Sequence, residues 1–386
     1  MTTFLKIKMK IVADDKIPFL KGVFEPLAEV NYISGALIKK EDVKDADALI
    51  VRTRTFCNVQ LLEDTSVKMV ATATIGTDHF DIPWLEKNGI KWVNAEGCNS
   101  GSVCQYIGSA LSLLIKEGLN PSSTTIGIVG VGMVGSKVAK LAETLGMRVL
   151  LNDPPRQRNE RNTCFCDLKT ILSESDIITF HTPLNKTGID ATYHLFDNSA
   201  LHLLKKGSIV INSSRGEVAD TSALLKGIES GKISKAILDV WENEPDINKE
   251  LLKKVWIGTP HIAGYSADGK ANGTAMSVQA ISCFFNLGLD NWQPDSIPVP
   301  ENSIIKINPS DKKTYEIIAE AILHTYNVKN DDVRLRENSD SFEKQRGDYP
   351  LRREFGIWEV VFSENPASDE VKNVLKGIGF KVNVKG

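Results

Sequence analysis

The sequence predicts an α/β protein built around a doubly wound parallel sheet. Between residues 121 and 262, five short apolar strands alternate with helical patterns, and a glycine-rich turn joins the first strand to the next helix. A shorter alternation of strands and helices precedes this region, between residues 10 and 99. Because such alternation is typical of parallel sheets, we expect two α/β domains followed by a tail of different texture.

Length and composition limit the classes of protein to consider. A chain of 386 residues is too long for one ordinary core and predicts two or three domains. The contents of 42% hydrophobic and 25% charged residues are typical of globular proteins. A formal net charge of -3 argues against nucleic acid or an anionic membrane as the main partner. A small anionic substrate stays open, because it needs only a few local arginines.

Targeting signals and cysteines favour the cytoplasm. The N-terminus mixes lysines into its apolar residues and lacks a signal-peptide pattern, and no later stretch is apolar enough to span a membrane. None of the six cysteines forms a C-x-x-C pair, so reduced thiols are expected. Cys164 and Cys166 are close in sequence, but we predict no metal site.

The first α/β region contains buried strands followed by helices. Apolar runs predict strands at residues 11–13, 48–51 and 69–71. Helices are predicted at residues 82–87 and 102–116.

The second α/β region is the longer one. Its strands are predicted at residues 125–129, 148–151, 176–180, 208–212 and 236–240. Helical patterns separate them, which predicts a Rossmann-type doubly wound sheet. A further helix is predicted at 269–286.

The tail begins after a linker marked by Pro294, Pro298 and Pro300. A helix near residues 312–326 and a charged loop are predicted first. A strand, a helix and a strand are then predicted at residues 357–362, 368–376 and 380–384. This pattern indicates a small α+β domain.

The glycine-rich turn predicts a dinucleotide site. Gly130, Gly132 and Gly135 form a G-x-G-x-x-G motif that follows a strand and opens a helix. The first glycine permits the tight turn, the second a close approach of the pyrophosphate, and the third helix–strand packing. The free N–H groups at the helix start attract phosphate. A purely structural glycine turn is the alternative for the motif alone.

An acidic residue indicates which dinucleotide binds. Asp153 ends the next strand, eighteen residues after Gly135, where a carboxylate accepts hydrogen bonds from the adenosine ribose and repels a 2′-phosphate. This favours NAD over NADP. Arg156 and Arg158, just downstream, would weaken that preference.

Three charged residues follow later strands of the same predicted sheet: Arg215, Glu244 and His261. Alone, each has an ordinary structural explanation as a surface ion pair, a helix cap or a proline-histidine turn. Together they suit alcohol oxidation, which needs a base, an acid that orients the base, and a cation for an adjacent carboxylate.

At this point the chain resembles a known family. N-x-x-R-G, D-V-x-x-x-E-P and P-H-I-x-G behind G-x-G-x-x-G are similar to the D-isomer-specific 2-hydroxyacid dehydrogenases. The resemblance implies that Arg215 binds the substrate carboxylate and that His261, paired with Glu244, takes the C2 hydroxyl proton. Asp239 would hold the nicotinamide carboxamide. The other cofactor residues that it implies are Met133, Val134, Thr182, Ser213, Ser214 and Gly264.

Longer runs are similar to one branch of this family, whose members oxidise 4-phosphoerythronate. These runs include residues 45–53, 73–79, 179–184 and 257–265, and the similarity extends into the tail at 351–354. It implies NAD-dependent oxidation of 4-phospho-D-erythronate at C2 to 2-oxo-3-hydroxy-4-phosphobutanoate, in pyridoxal 5′-phosphate synthesis.

The branch resemblance also suggests substrate contacts. It implies that Thr53, Thr74 and Tyr265 touch the substrate. The phosphate needs a second anion site, for which Arg52 is the first candidate. The tail arginines Arg346, Arg352 and Arg353 are weaker candidates, and solvated surface positions are the expectation for them. Gln105 stands where an acid is common in the family, with no consequence assigned.

The same resemblance suggests the domain plan. A flavodoxin-like substrate or lid domain would comprise residues 1–101 and 268–290, and the NAD domain residues 102–267. Residues 291–386 would form a dimerisation domain, which makes a homodimer the expected assembly. Residues 1–8 have no counterpart in the branch, so a start at Met9 stays open. Two alternatives remain: another D-2-hydroxyacid dehydrogenase, such as one acting on 3-phosphoglycerate, or a non-enzymatic NAD(H) sensor on this fold.

Overall fold

The structure is a computed structural model that describes residues 9–161, 164–363 and 367–383. The eight residues without a counterpart in the predicted family lie outside this described part. Contacts divide the chain into two compact units. One comprises Met1–Asn99 and Ala267–Pro298, and the other Ser100–Ser266 and Val299–Gly386.

The first unit contains a five-stranded parallel sheet. Its strands are β1 (Lys10–Asp14), β2 (Glu29–Ile33), β3 (Ala48–Val51), β4 (Met69–Thr72) and β5 (Lys91–Asn94). Its helices before residue 99 are α1 (Lys40–Val43), α2 (Val59–Leu62) and α3 (Ile82–Lys87). The strand order β2-β1-β3-β4-β5 is that of flavodoxin-like sheets, as predicted. The sequence missed β2 and β5 because these edge strands are only partly buried and carry polar residues.

The second unit begins with a longer helix and a six-stranded parallel sheet. The helices are α4 (Ser100–Lys116), α5 (Met133–Thr144), α6 (Pro154–Glu160), α7 (Leu168–Glu174), α8 (Asn198–Leu203), α9 (Thr221–Glu229) and α10 (Lys249–Lys254). The strands are β6 (Thr125–Val129), β7 (Arg148–Asn152), β8 (Ile177–Phe180), β9 (Ser208–Asn212), β10 (Ile233–Leu238) and β11 (Ile257–Gly258). Five of these strands were predicted, and β11 is too short to leave an apolar run.

The strand order of this sheet indicates where a ligand is expected to bind. The order is β11-β10-β9-β8-β6-β7, and all pairs are parallel. An isolated parallel bridge joins Leu151 to Phe165 beyond β7, in the place of a third strand of the first half. The chain therefore winds in both directions from β6. Open α/β sheets bind ligands at the carboxyl ends of the strands at this switch point.

Helix α11 (Ala267–Phe285) belongs to the first unit. Val278 and Ile281 on this helix are buried in one apolar cluster with Ile11 and Ile50 from the sheet. Gly273 permits the close approach, because a Cβ there would lie 2.5 Å from the carbonyl oxygen of Ala73. The helix was predicted at nearly these bounds.

The tail contains a three-stranded parallel sheet and four helices within the described residues. In chain order these are β12 (Ile304–Ile307), α12 (Thr314–Thr325), α13 (Lys329–Glu337), α14 (Phe342–Gly347), β13 (Glu359–Phe362), α15 (Asp369–Ile378) and β14 (Lys381–Val382). The prediction of a charged loop after α12 is wrong, because α13 and α14 occupy that stretch. Ion pairs between Asp332 and Arg336 and between Glu343 and Arg346, at helical spacing, stabilise them. The last predicted strand extended to Val384, which lies outside the described residues.

The tail packs along the first helix of its unit. Helix α12 lies against α4, and both contribute to one apolar cluster. Gly108 lies in this contact, where a Cβ would be 3.5 Å from Ile322 of α12, an ordinary contact, and only 3.0 Å from Leu141 of α5. The contacts therefore place the tail in one unit with the sheet of β6–β11. A tail domain that folds independently stays a prediction.

Candidate active site

The glycine-rich turn has the geometry of a dinucleotide loop. Gly130 follows β6 with a φ of +86°, and a Cβ there would lie 2.7 Å from the carbonyl oxygen of His181. A Cβ on Gly135 would lie 2.0 Å from the carbonyl oxygen of Gly130, so the start of α5 packs directly on the turn. Gly132 caps α5, and no heavy atom of the described residues lies within 4 Å of where its Cβ would be. The backbone is therefore open to a phosphate at the helix start.

Asp153 fixes the turn from the end of β7. Its Oδ2 accepts a hydrogen bond from Val131 N at 2.8 Å, and its Oδ1 accepts one from Arg156 N at 3.0 Å. Each carboxylate oxygen keeps a further lone pair for a ribose hydroxyl. The guanidinium groups of Arg156 and Arg158 are both in ion pairs with nearby carboxylates. These two arginines are therefore already neutralised, an arrangement that fits NAD.

Two buried hydroxyl groups at the carboxyl edge of the same sheet suit a polar ligand. Thr182 Oγ1 and Ser213 Oγ are buried and have no hydrogen-bond partner within the described part of the chain. A buried hydroxyl without a partner is unfavourable, and the polar atoms of NAD would satisfy both. Ser214 differs, because its hydroxyl donates to Asn212 Oδ1 at 2.9 Å. The other predicted cofactor residues lie at the start of α5 or in the turn after β11: Met133, Val134 and Gly264.

The backbone around Arg215 is shaped by an asparagine and a glycine. Asn212, the last residue of β9, donates through Nδ2 to the carbonyl of Arg215 at 2.8 Å and accepts from Ser214 N at 3.1 Å. Gly216 has no room for a side chain, because its Cβ would lie 2.0 Å from the carbonyl carbon of Trp241. This contact packs the Arg215 turn against the segment after β10, where the predicted acids lie. The Arg215 side chain is half-buried.

His261 and Glu244 form a close pair. His261 Nδ1 lies 2.7 Å from Glu244 Oε2, and Glu244 Oε1 accepts a hydrogen bond from Trp241 N at 2.9 Å. Burial by itself would raise the pKa of Glu244. The charge that His261 carries when it is protonated, the hydrogen bonds from His261 and Trp241, and the charge of Arg346 outweigh this effect and lower that pKa. Since ionised Glu244 only accepts, we assign the proton to Nδ1, which leaves Nε2 of His261 as a lone-pair acceptor.

The backbone of the histidine is held from the end of β10. His261 has a φ of +55°, a left-handed conformation, and its N–H donates to the carbonyl of Asp239 at 2.7 Å. The buried Asp239 carboxylate accepts from Thr259 Oγ1 at 2.6 Å and from the N–H groups of Ile262 and Ala263, both at 2.8 Å. Three of its roughly four acceptor positions therefore hold the histidine loop. Its predicted contact with nicotinamide stays a prediction.

Tyr265 lies among residues from the tail. Its ring packs edge-on against Tyr349 at 5.8 Å, and the guanidinium of Arg346 lies 5.7 Å from its centre. The expectation that the tail arginines are solvated surface residues is wrong for Arg352 and Arg353, which are only 5% and 8% exposed. The reason is that this part of the tail packs against the histidine loop and the start of α4. A charged composition alone gives no sign of such burial.

Gln105 also acquires a structural explanation. Its Nε2 donates to the carbonyl of Arg353 at 2.9 Å and to Thr325 Oγ1 at 3.1 Å. An ionised acid at this position would offer no N–H to that carbonyl. The amide is therefore matched to the packing of the tail.

The predicted substrate residues of the first unit lie at one edge of its sheet. Arg52 and Thr53 directly follow β3, and Thr74 follows the neighbouring strand β4. Arg52 is half-buried, with Nη1 at 3.5 Å from the carbonyl of Lys16, and Thr53 is exposed. Thr74 Oγ1 lies 2.7 Å from Thr72 Oγ1. The structure therefore brings these three residues together, with two hydroxyl groups and one cation.

Neither a metal centre nor a membrane span occurs among residues 9–161, 164–363 and 367–383. No group of three or more His, Cys, Asp or Glu in these ranges is arranged to hold a metal ion. No helix in them is long and apolar enough to cross a membrane. All six cysteines are free thiols.

Comparison with known proteins identifies the family. The chain is 51% identical to an erythronate-4-phosphate dehydrogenase of Bacteroides fragilis over 358 residues, which cover 92% of this chain and all of the relative. It is 42% identical to an erythronate-4-phosphate dehydrogenase of Proteus mirabilis over 381 residues, which cover 98% of this chain and all of the relative. The chain belongs to the erythronate-4-phosphate dehydrogenase family.

One family model agrees with this assignment, and solved structures share the fold. Residues 114–263 match the model of the D-isomer specific 2-hydroxyacid dehydrogenase NAD binding domain, and residues 297–376 match a model described as a domain of unknown function. A D-lactate dehydrogenase of Aquifex aeolicus, complexed with NAD and lactic acid, shares the fold with a TM-score of 0.58 at 24% identity, over 73% of this chain and 96% of its own. A D-2-hydroxyisocaproate dehydrogenase does so with a TM-score of 0.59 at 24% identity, over 72% of this chain and 98% of its own. As a member of the erythronate-4-phosphate dehydrogenase family, the chain is an NAD-dependent oxidoreductase.

Proposed function

We propose that the chain oxidises 4-phospho-D-erythronate at C2 to 2-oxo-3-hydroxy-4-phosphobutanoate, with NAD as the oxidant, in the synthesis of pyridoxal 5′-phosphate. The observation that carries the proposal is the 2.7 Å pair of His261 and Glu244. It stands in a chain that aligns with erythronate-4-phosphate dehydrogenases over more than nine-tenths of its length. The residue roles below are part of the same proposal.

His261 acts as the base. Its Nε2 takes the proton of the C2 hydroxyl while the C2–H bond breaks, and the imidazolium that forms is stabilised by ionised Glu244. Hydrogen bonds from His261 and Trp241 to the two carboxylate oxygens keep Glu244 oriented. Arg215 binds the C1 carboxylate through charge-assisted hydrogen bonds.

The cofactor turn matches NAD in shape and polarity. When bound, NAD would supply the acceptor for the hydride that leaves C2. Gly132 leaves the start of α5 open for the pyrophosphate, and Asp153 selects an unphosphorylated ribose. The unpaired hydroxyls of Thr182 and Ser213 supply polar contacts.

The phosphate of the substrate needs its own cation. Arg52 supplies it in this proposal, and Thr53 and Thr74 add hydroxyl donors at the same sheet edge. Tyr265, next to the histidine loop, contacts the substrate near the reacting carbon.

We further propose that the protein is a cytoplasmic homodimer that pairs through its tail. Free thiols at all six cysteines suit a reducing compartment. On the tail, Val333 and Leu351 are 44% and 50% exposed, and a second copy would cover such apolar side chains. Light scattering of the full chain tests this assembly. A dimer mass that is lost when both residues become aspartate supports it, and a monomer mass across micromolar concentrations contradicts it.

The test of the activity is NADH formation with a panel of hydroxy acids. The panel contains 4-phosphoerythronate, 3-phosphoglycerate, D-lactate and D-glycerate, with a 2-oxo acid present to recycle tightly held cofactor. A strong preference for 4-phosphoerythronate that His261→Ala abolishes supports the proposal. His202→Ala, at an exposed histidine of α8, is the matched control and should keep full activity. Preference for another acid would contradict the proposal that 4-phosphoerythronate is the substrate. NAD binding without turnover of any acid in the panel would contradict the proposal that the chain is an enzyme.

A further inference from the structure

The backbone of Ile262 and Ala263, directly after His261, lies between two buried charges. On one side, Asp239 accepts hydrogen bonds from the N–H groups of Ile262 and Ala263. On the other side, the carbonyl oxygens of the same two residues face Arg352 of the tail. Arg352 Nη1 lies 3.4 Å from Ile262 O, and Nη2 donates to Ala263 O.

Further contacts and burial hold the side chain of Arg352 in this position. Its guanidinium lies 4.4 Å from the ring centre of Tyr326, and Nη2 also lies 3.3 Å from Ser102 O in the first turn of α4. The side chain is 5% exposed. Burial by itself would lower the pKa of Arg352, but the nearby Tyr349, Tyr326 and Asp239 raise it.

The two charges neutralise each other through the backbone between them. A buried carboxylate or guanidinium without compensation is strongly unfavourable. The peptide group that joins Ile262 to Ala263 contacts both charges, because its N–H donates to Asp239 and its carbonyl oxygen faces Arg352. Its dipole is therefore aligned with both charges. Removing either charge would leave the other buried and uncompensated.

The residues next to Arg352 anchor it to its own unit. The carbonyl of Arg353 accepts from Gln105, and Glu354 Oε1 accepts from Ser102 Oγ at 2.8 Å and Ser266 Oγ at 2.9 Å. A Cβ on Gly101 would lie 2.0 Å from Glu354 Oε2, so the glycine is what admits this carboxylate. The Arg352–Glu354 segment therefore joins the start of α4 to both ends of the loop that follows His261.

We propose that Arg352 is a positioning residue for His261, and that the tail completes the catalytic loop. Arg352 acts through the backbone of Ile262 and Ala263, and its effect on the substrate passes through the histidine. The proposal rests on the proposed function, because it takes His261 as the base. It differs from a dimerisation role, since the contact lies within one chain.

The expected consequence is a loss of kcat rather than of binding. Displacing a catalytic group by about 1 Å lowers the rate on the order of 100-fold. Arg352→Lys keeps the charge but cannot reach both carbonyls with one planar group. We expect its kcat to fall about 100-fold, while the KM values for NAD and the hydroxy acid stay within a few-fold.

Arg336 offers a matched control. It is a tail arginine that donates to the carbonyls of Leu252 and Val255, at 2.6 and 2.9 Å, and to Asp332 at 2.7 Å. Arg336→Lys makes the same chemical change at another set of backbone carbonyls. It should lower stability without a comparable loss of kcat. Equal losses of kcat in the two variants would overturn a specific role for Arg352.

Two further measurements distinguish a positioning role of Arg352 from a folding defect. The first of them also holds if the proposed substrate is wrong. Hydrogen exchange of the full chain should show faster exchange at the amides of Ile262 and Ala263 in Arg352→Lys than in Arg336→Lys, whichever acid is the substrate. In Arg352→Ala, guanidinium chloride at about millimolar concentration, far below denaturing levels, should restore at least tenfold of kcat. Unchanged exchange at both amides, or equal rescue of Arg336→Ala, would overturn the proposal.

Discussion

Glu244→Gln tests the charge behind the histidine. Glutamine keeps the size of the side chain and the acceptor for Trp241 N, but removes the negative charge 2.7 Å from His261 Nδ1. With charge centres about 4 Å apart, the imidazolium loses about 4 kcal/mol at an effective dielectric of about 20, and about 1 kcal/mol in water. His261 and Glu244 keep 32% and 19% exposure, so a value between these limits, about 2–3 kcal/mol, is expected. This corresponds to a fall in kcat of about 30- to 150-fold.

The assay is NADH formation at saturating NAD and hydroxy acid, with KM measured for both. A second pair in the same unit gives the control: His194 Nε2 lies 2.7 Å from Glu242 Oε1. Glu242→Gln removes a negative charge beside His194, a histidine that the proposed mechanism does not use. The variant should therefore keep kcat within about threefold of wild type, or 0.6 kcal/mol. If Glu244→Gln lowers kcat no more than Glu242→Gln does, the electrostatic role of Glu244 is refuted.

Arg346→Met should move the acid side of the kcat–pH profile to higher pH. The charge of Arg346 helps to lower the pKa of Glu244, so without it Glu244 protonates at a higher pH; an unmoved acid limb would contradict this. Arg52→Ala should raise KM for the phosphorylated substrate at least tenfold, the loss of about 1.4 kcal/mol expected for one charge-assisted contact, and leave NAD affinity unchanged. Equal losses of NAD affinity and of apparent affinity for the phosphorylated substrate would show that Arg52 is not part of the substrate site. Gly216→Ala should lower both kcat and the free energy of unfolding by urea, the latter by about 1–3 kcal/mol, because its Cβ overlaps the backbone of Trp241. A free energy of unfolding equal to that of the wild type would show that the backbone accommodates the added methyl group without strain.

The sequence predicted the central strands better than the edges. Both faces of β3, β4 and β9 are buried, so each reads as an unbroken apolar run. By contrast, β2 alternates polar and apolar residues at a sheet edge. The two residues of β11 are too few for any pattern, although they precede the predicted base. Whether such edge or very short strands form depends on their neighbours in the fold as well as on their own residues.

In the site, the spacing of motifs predicted which residues meet but not what supports them. The pairing of Glu244 with His261 was predicted from family motifs, and the structure places the two side chains in contact. The burial of Arg352 was not predicted, because arginine is usually solvated and the loop it contacts is about ninety residues away in the chain. Contacts between segments so far apart leave no periodic signal in one sequence. Their function therefore becomes visible only when the chain is folded.

The left-handed backbone of His261 has a consequence for the history of this loop. Such a φ is uncommon outside glycine, although asparagine, aspartate and histidine adopt it more often than other residues, and the strain is of order 1 kcal/mol. Selection for stability alone would favour glycine at this position. The proposed chemistry of His261 is a reason to keep a histidine there in spite of this strain. A descendant that no longer needed the imidazole as a base would be free to relax this turn.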